Sequence, residues 1–203
     1  MIDKPVVSGN VYNKYESANP VTRLLMQNYL STFDSLLAPE NQVQTLLEIG
    51  CGEGYMTRHL ANRYPTAAIS AFDVSNHILK QATQQNKNAH FACASAYQLP
   101  FPNCRFDLIV CVEVLEHLTH FRHALYEIKR VSRKHILVSV PREPLWRVLN
   151  VARGAYLSAG GNTPGHVQHW SQAQFKDLLT EVFEVISIES PLPWTMALCR
   201  TLD

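Results

Sequence analysis

Thr45-Leu-Leu-Glu-Ile-Gly-Cys-Gly-Glu-Gly54 sets a short apolar run against three glycines at alternate positions. Leu46, Leu47 and Ile49 suit a buried strand, and Gly50, Gly52 and Gly54 end it abruptly. Glycine there serves either a turn with positive φ or a ligand pressed against bare backbone. Residues 55–64 then read as a helix. Strand, glycine turn and helix form the unit that places a nucleotide-like ligand at the carboxyl end of a parallel strand. A tight connection with no ligand has the same composition, so the turn alone leaves both readings open.

The next strand, over residues 67–74, narrows the choice because it ends in Asp73. An acid at the tip of the second strand can accept hydrogen bonds from both hydroxyls of a ribose. A nicotinamide dinucleotide still fits that pairing. Against it stand Glu48 and Glu53, since a pyrophosphate needs a helix amino terminus free of nearby negative charge. S-adenosylmethionine carries no phosphate, and its α-ammonium suits a carboxylate such as Glu48.

At this point the sequence resembles the class I S-adenosylmethionine-dependent methyltransferases, of the type 11 and ubiquinone-pathway O-methyltransferase kind, through Leu46 to Gly54 and Phe72-Asp-Val-Ser75. A helix capped by Ser75 (75–85), a strand (90–93), Leu99-Pro100-Phe101 and a strand (106–111) follow in the order of that superfamily. The resemblance implies a cofactor held by Glu48, Gly50, Cys51, Gly52, Asp73, Val74, Ser95, Ala96 and Cys111. Many members place an Asp four residues before that Leu to bond the adenine amino group; this chain has Ser95, so the backbone of residues 94–96 is the expected anchor.

Further strands are expected over residues 132–140, 182–190 and 193–200, with a helix over 171–180 capped by Ser171. The fold class is then α/β: a Rossmann-like, seven-stranded, mostly parallel sheet with helices on both faces and an N-terminal helical lid. The chain reads as one domain over residues 1–203: a lid (1–43), a cofactor-binding core (44–140), a substrate-side insertion (141–170) and a C-terminal helix with strands (171–203). Within the lid, Asn19-Pro20 reads as a helix start with Val21, Leu24, Leu25, Asn28 and Tyr29 on one stripe, and Tyr12, Lys14 and Tyr15 precede it without apolar periodicity.

A second constellation, Glu113-Val-Leu-Glu-His117, is expected to begin a helix, with Glu113, Glu116 and His117 on one face at the edge where the methyl group is presented. With His166 or His169 as a further donor, these residues suit a divalent metal ion. The pattern resembles ubiquinone-pathway O-methyltransferases and small-RNA 3'-end 2'-O-methyltransferases, where such residues bind a metal. The same residues without metal would form hydrogen bonds at a helix start or line the substrate pocket, leaving His117 or His166 as general base.

The insertion carries a helix opening at Glu143-Pro144, with Leu145, Val148, Leu149 and Ala152 on an apolar stripe and Arg142, Arg147 and Arg153 off it, before a Gly160-Gly161 hinge. It is read as gripping a lipophilic or anionic substrate or resting on a membrane surface, against the plainer alternative of an amphipathic helix packed on the core.

The 203 residues are 46% hydrophobic and 17% charged with a formal net charge of +1, enough for one compact domain and without the basic excess of a nucleic-acid surface. The five cysteines are odd in number and lack Cys-x-x-Cys spacing, which argues against a disulfide framework or a four-thiolate zinc site. The amino terminus lacks the apolar core of a signal peptide, and no apolar run approaches the roughly 20 residues of a membrane helix. The expectation is a cytoplasmic enzyme transferring methyl from S-adenosylmethionine to a small-molecule hydroxyl, with RNA 3'-end methylation and a non-catalytic cofactor-binding protein as alternatives.

Overall fold

A computed structural model describes residues 14–40 and 42–202. Seven strands form one sheet in the order β3-β2-β1-β4-β5-β7-β6, from β1 (Thr45–Ile49), β2 (Ala68–Asp73), β3 (Ala89–Cys93), β4 (Phe106–Val112), β5 (Ser132–Pro141), β6 (Phe183–Glu189) and β7 (Trp194–Thr201). β7 runs antiparallel to both of its neighbours, and the remaining pairings are parallel. The expected architecture is therefore present, with strand ends within two residues of those read from sequence. The chain leaves β1 toward β2 and β3, then returns to β4 on the other side of β1. That reversal opens a crevice at the carboxyl ends of β1 and β4, the position where open α/β sheets bind ligands.

Strand alternation divides the core between the two faces. Leu46, Leu108, Val110 and Val112 pack with α1 (Pro20–Leu36) and α2 (Tyr55–Arg63) on one side. Leu47, Ile49, Ile109 and Cys111 pack with α4 (Phe121–Val131) and α6 (Gln172–Thr180) on the other. Helix α3 (Asn76–Gln85) flanks β2 and β3. Ser171 caps α6 in a full capping box with Gln174, as the sequence indicates. Trp170 beside it is a packing anchor, edge-on to Phe121 and tilted against Phe175.

Four local expectations need correction. Asn19 does cap α1, accepting from Val21 N and Thr22 N, but the buried stripe is Met26, Tyr29, Phe33 and Leu36, while Val21 and Leu24 are 64% and 67% exposed. The helix is rotated so that its two aromatic rings, the largest apolar areas available, face the sheet. Helix α1 thus packs on the sheet; of the segment before it, Lys14 and Tyr15 are described, and Tyr12 lies outside the described residues. Ser75 sits at the amino end of α3 without capping it through its side chain; its N–H donates to Asp73 Oδ1 at 2.9 Å instead.

Third, Glu113 has φ +58 and follows β4 in a left-handed kink rather than opening a helix. Only one 3-10 turn, Leu115–His117, follows before α4. Fourth, Gly160 and Gly161 are a packed joint and not a hinge. Gly160 O accepts from Arg147 Nε, Gly161 O accepts from Asn150 Nδ2, and a Cβ on Gly161 would lie 2.3 Å from Arg147 O.

In α5 (Leu145–Ala152) the core-packed alternative does not hold: Val148, Leu149 and Val151 are 58%, 39% and 45% exposed, and the buried residue is Asn150.

Candidate active site

The glycine turn is clamped to β2 by its own backbone. Gly50 N and Cys51 N both donate to Phe72 O, at 2.7 and 2.9 Å, and Gly52 N donates to Asp73 Oδ2 at 3.1 Å. Gly50 has φ +73, and a Cβ there would stand 2.3 Å from Val114 Cγ2, so no other residue fits without movement. Asp73 is 8% exposed, and its two oxygens each accept one backbone N–H, from Gly52 and Ser75. A carboxylate oxygen accepts more than one bond, so both oxygens keep capacity for the paired hydroxyls of a ribose.

Glu48 lies beneath the turn, 1% exposed, and accepts from Thr57 Oγ1 at 2.5 Å. Burial pushes its carboxyl up to about 8, the Thr57 bond opposing and the Asp73 charge adding to the shift. Alone it is protonated at neutral pH; an ammonium brought beside it would favour the carboxylate. Cys51 is buried with its thiol near Gly52 O at 3.9 Å, and Cys111 is buried in the core face of β4. Val74 is 50% exposed at the rim. Ser95 Oγ accepts from Tyr97 N at 3.2 Å, which ties that hydroxyl into the turn after β3, and Ala94 N donates to Asp73 O at 3.2 Å.

Across the same edge lies a second polar group. Glu116, His117 and His166 each offer a ligand atom, and these atoms all lie within 4.8 Å of one another. The loop after α5 reaches the 3-10 turn through its backbone: Val167 N and Gln168 N donate to Glu116 O at 2.9 and 3.0 Å. His117 Nδ1 donates to Gly165 O at 3.0 Å, because a carbonyl can only accept, and that fixes the neutral tautomer with a lone pair on Nε2. Burial lowers the pKa of His117. For His166 burial, with the charge of His117 adding, takes it down to about 3. Both rings are neutral at pH 7, with centroids 4.9 Å apart. His169 stands apart, exposed and bonded to Asn162 Oδ1 at 2.8 Å, so His166 is the histidine that joins the group.

Glu116 is 1% exposed, and neither carboxylate oxygen has a hydrogen-bond partner among the described residues. Burial, reinforced by the nearby Glu113, raises it well above the usual carboxylate range. Buried polar oxygens are ordinarily satisfied, so this pair is open to a donor or a cation. Glu113 is not part of the cluster, contrary to the helical-face expectation. Its left-handed backbone turns the carboxylate so that Oε2 accepts from Trp194 Nε1 at 2.8 Å and from Lys14 Nζ at 3.2 Å.

Lys14 and Trp194 are the residues sequence reasoning did not place. The Lys14 ammonium lies 5.3, 5.7 and 5.9 Å from the ring centres of Trp194, Tyr15 and Tyr29. Burial works against its charge, but Glu113 more than offsets that, and its pKa is raised. Tyr15 stacks on Tyr55, the first residue after the glycine turn, with centroids 5.0 Å apart. The available signal was the aperiodic pair Lys14-Tyr15; nothing in the spacing pointed to Trp194. Trp146 of α5 completes this side, stacked on His166 at 6.0 Å and 5.8 Å from Trp194.

The family described as "Methyltransferase domain" matches residues 47–138, the span from β1 through most of β5. Among curated proteins, the malonyl-[acyl-carrier protein] O-methyltransferase of Geobacter sulfurreducens is 30% identical over 138 residues, 64% of this chain and 50% of that protein. The chain spans about half the length, or less, of the first curated relatives it matches. Among solved structures, magnesium protoporphyrin IX methyltransferase from Synechocystis with bound S-adenosylhomocysteine superposes with a TM-score of 0.67 at 18% identity, covering 92% of this chain and 89% of that one. A methyltransferase of Haloferax volcanii, solved in complex with a methyltransferase activator, gives 0.71 at 15% identity over 89% and 92% of the two chains. Residues 47–138 thus match a methyltransferase domain, and the switch-point crevice, glycine turn and Asp73 fit a class I S-adenosylmethionine-dependent methyltransferase. No helix among the described residues is long and apolar enough to cross a membrane.

Proposed function

We propose that this chain transfers the methyl group of S-adenosylmethionine to an oxygen of a small-molecule acceptor. The observation that carries the reading is the pairing of two sites on one sheet edge: the Asp73 and Gly52 cradle, and the neutral imidazoles beside Glu116. Asp73 would hold the ribose, Glu48 the α-ammonium, and Gly50, Cys51, Gly52 and Val74 would line the cofactor. The backbone at Ser95 and Ala96 would flank the adenine, with Cys111 beneath. S-adenosylmethionine, when bound, supplies an electrophilic methyl on sulfur. His117 is the better base of the two histidines, since its Nδ1–H is anchored to Gly165 O, which leaves the lone pair on Nε2 to take the acceptor's proton. His166 is strongly desolvated and better suited to walling the acceptor with Trp146. Most of the acceleration would come from holding two reactants in line in a site with little water.

The O-methyltransferase relatives support oxygen as the acceptor atom, and a lipophilic small molecule suits the aromatic wall of Trp146 and Trp194. Calorimetric titration with S-adenosylhomocysteine tests the cofactor half of the reading: Asp73→Ala should weaken binding about tenfold to a hundredfold, the loss of charged hydrogen bonds. Unchanged affinity would reject it. Release of S-adenosylhomocysteine on a panel of hydroxy and carboxy acceptors, lost in His117→Ala, separates the enzyme from a non-catalytic binder.

A metal-assisted version draws on the unpartnered oxygens of Glu116. One carboxylate and two imidazoles would hold a divalent ion of intermediate softness and leave positions for substrate oxygens. Glu113 lies outside this ligand group, its Oε2 accepting from Lys14 and Trp194. Metal analysis of the purified protein and of Glu116→Ala/His117→Ala decides this version: stoichiometric metal lost in the double variant supports it, and none in either rejects it.

A further inference from the structure

Helix α5 is inside out. Its inward residues are Trp146, whose indole donates to Thr163 Oγ1 at 2.9 Å, and Asn150, 3% exposed and donating to Gly161 O and Thr163 Oγ1. Its outward residues are Val148, Leu149 and Val151, and Leu157 in the following turn is 61% exposed. An aliphatic face turned to water while a polar amide is buried is the reverse of a surface helix, and it marks a surface that meets something apolar. An open groove of about 310 Å³, lined by Pro144, Arg147, Val148, Val151 and Gly160, continues the face toward that turn.

Charge decides what meets it. Residues 141–170 contain Arg142, Arg147 and Arg153 against a single acid, Glu143. That acid is folded back on the helix start, with Oε2 accepting from Arg147 N at 3.4 Å and Oε1 buried. Arg153 is exposed at the carboxyl end of the helix. Aliphatic side chains bordered by arginine suit the boundary between lipid head groups and acyl chains.

We infer that the outward face of α5, with Leu157, docks on an anionic lipid bilayer. The opposite face of the same helix carries Trp146 into the acceptor pocket against His166 and Trp194, so docking sets the pocket mouth at the lipid surface. A lipophilic acceptor then reaches the site without crossing bulk water. The docking goes beyond the methyl-transfer reading, and vesicle binding reads it without turnover.

The test is flotation of the full chain with vesicles of phosphatidylcholine alone and of equimolar phosphatidylcholine and phosphatidylglycerol. Binding is expected on the anionic vesicles and not on the neutral ones, weakening with salt. Val148→Ser/Leu149→Ser should lower the partition constant at least about tenfold, and Arg153→Glu about tenfold. Unchanged circular dichroism, melting temperature and S-adenosylhomocysteine affinity would show that these surface variants remain folded. No binding to anionic vesicles, as an acidic protein partner for this face would give, overturns the inference. So does equal binding to both vesicles, or binding unaffected by the Val148 and Leu149 substitutions.

Discussion

Replacing Glu48 by glutamine removes a buried titration without removing the hydrogen bond from Thr57, since the amide oxygen can still accept it. Glu48 is 1% exposed, and burial raises its pKa from 4.5 to about 8. The folded state therefore prefers the protonated carboxyl, while the unfolded chain ionises near 4.5. The stability contributed by the neutral form is complete below pH 4.5 and is lost as pH rises through about 8. Within that window the loss runs at about 1.4 kcal/mol per pH unit, or about 3 kcal/mol across two units near neutrality. Urea unfolding of wild type and Glu48→Gln at several pH values reads the difference directly. The variant should lack this slope, so its stability relative to wild type should rise by about 3 kcal/mol over those two units. Saturating S-adenosylhomocysteine, whose ammonium favours the carboxylate, should flatten the slope in wild type alone. Parallel pH dependences in the two proteins would refute both the burial argument and the role given to Glu48.

Lys14→Met strands the Glu113 carboxylate in a site where the ion pair is only 14% and 16% exposed, so a loss of about 3 kcal/mol is expected by chemical denaturation. Lys14→Met/Glu113→Gln should recover most of it, and additive losses would show that the two do not interact. Gly50→Ala must strain a backbone at φ +73 and press on Val114, at a cost of about 3 kcal/mol in the same assay. Val114→Ala in that background should restore the steric part and leave the strain. Tyr29→Phe leaves buried Ser139 Oγ without its 2.7 Å partner and should cost about 1 kcal/mol, read as a lowered urea midpoint at unchanged slope.

Much of the fold was legible because strand alternation and glycine punctuation are local signals. Leu46 and Leu47 already point to opposite faces by their adjacency, and Asp73 lies where the second strand must end. The Asn19 and Ser171 caps were legible for the same reason. Glu113 was misread because helical spacing presumes right-handed backbone, and one residue at φ +58 breaks it. The sequence left the facing of helix α5 open because periodicity finds an apolar stripe without telling which way it points; Asn150, held by Gly161 and Thr163 from the following loop, turns the stripe outward. The Lys14, Glu113 and Trp194 contact joins residues about 80 to 100 positions apart and has no local signature.

Binding of S-adenosylmethionine against Asp73, in the crevice between β1 and β4, is open to direct test. A crystal structure of the chain grown with S-adenosylhomocysteine tests it most directly. The expected density places the ribose hydroxyls on the two Asp73 oxygens and the amino-acid end over Gly50 and Gly52 near Glu48. Density at any other site, or a ribose that leaves Asp73 bonded only to Gly52 and Ser75, would contradict it.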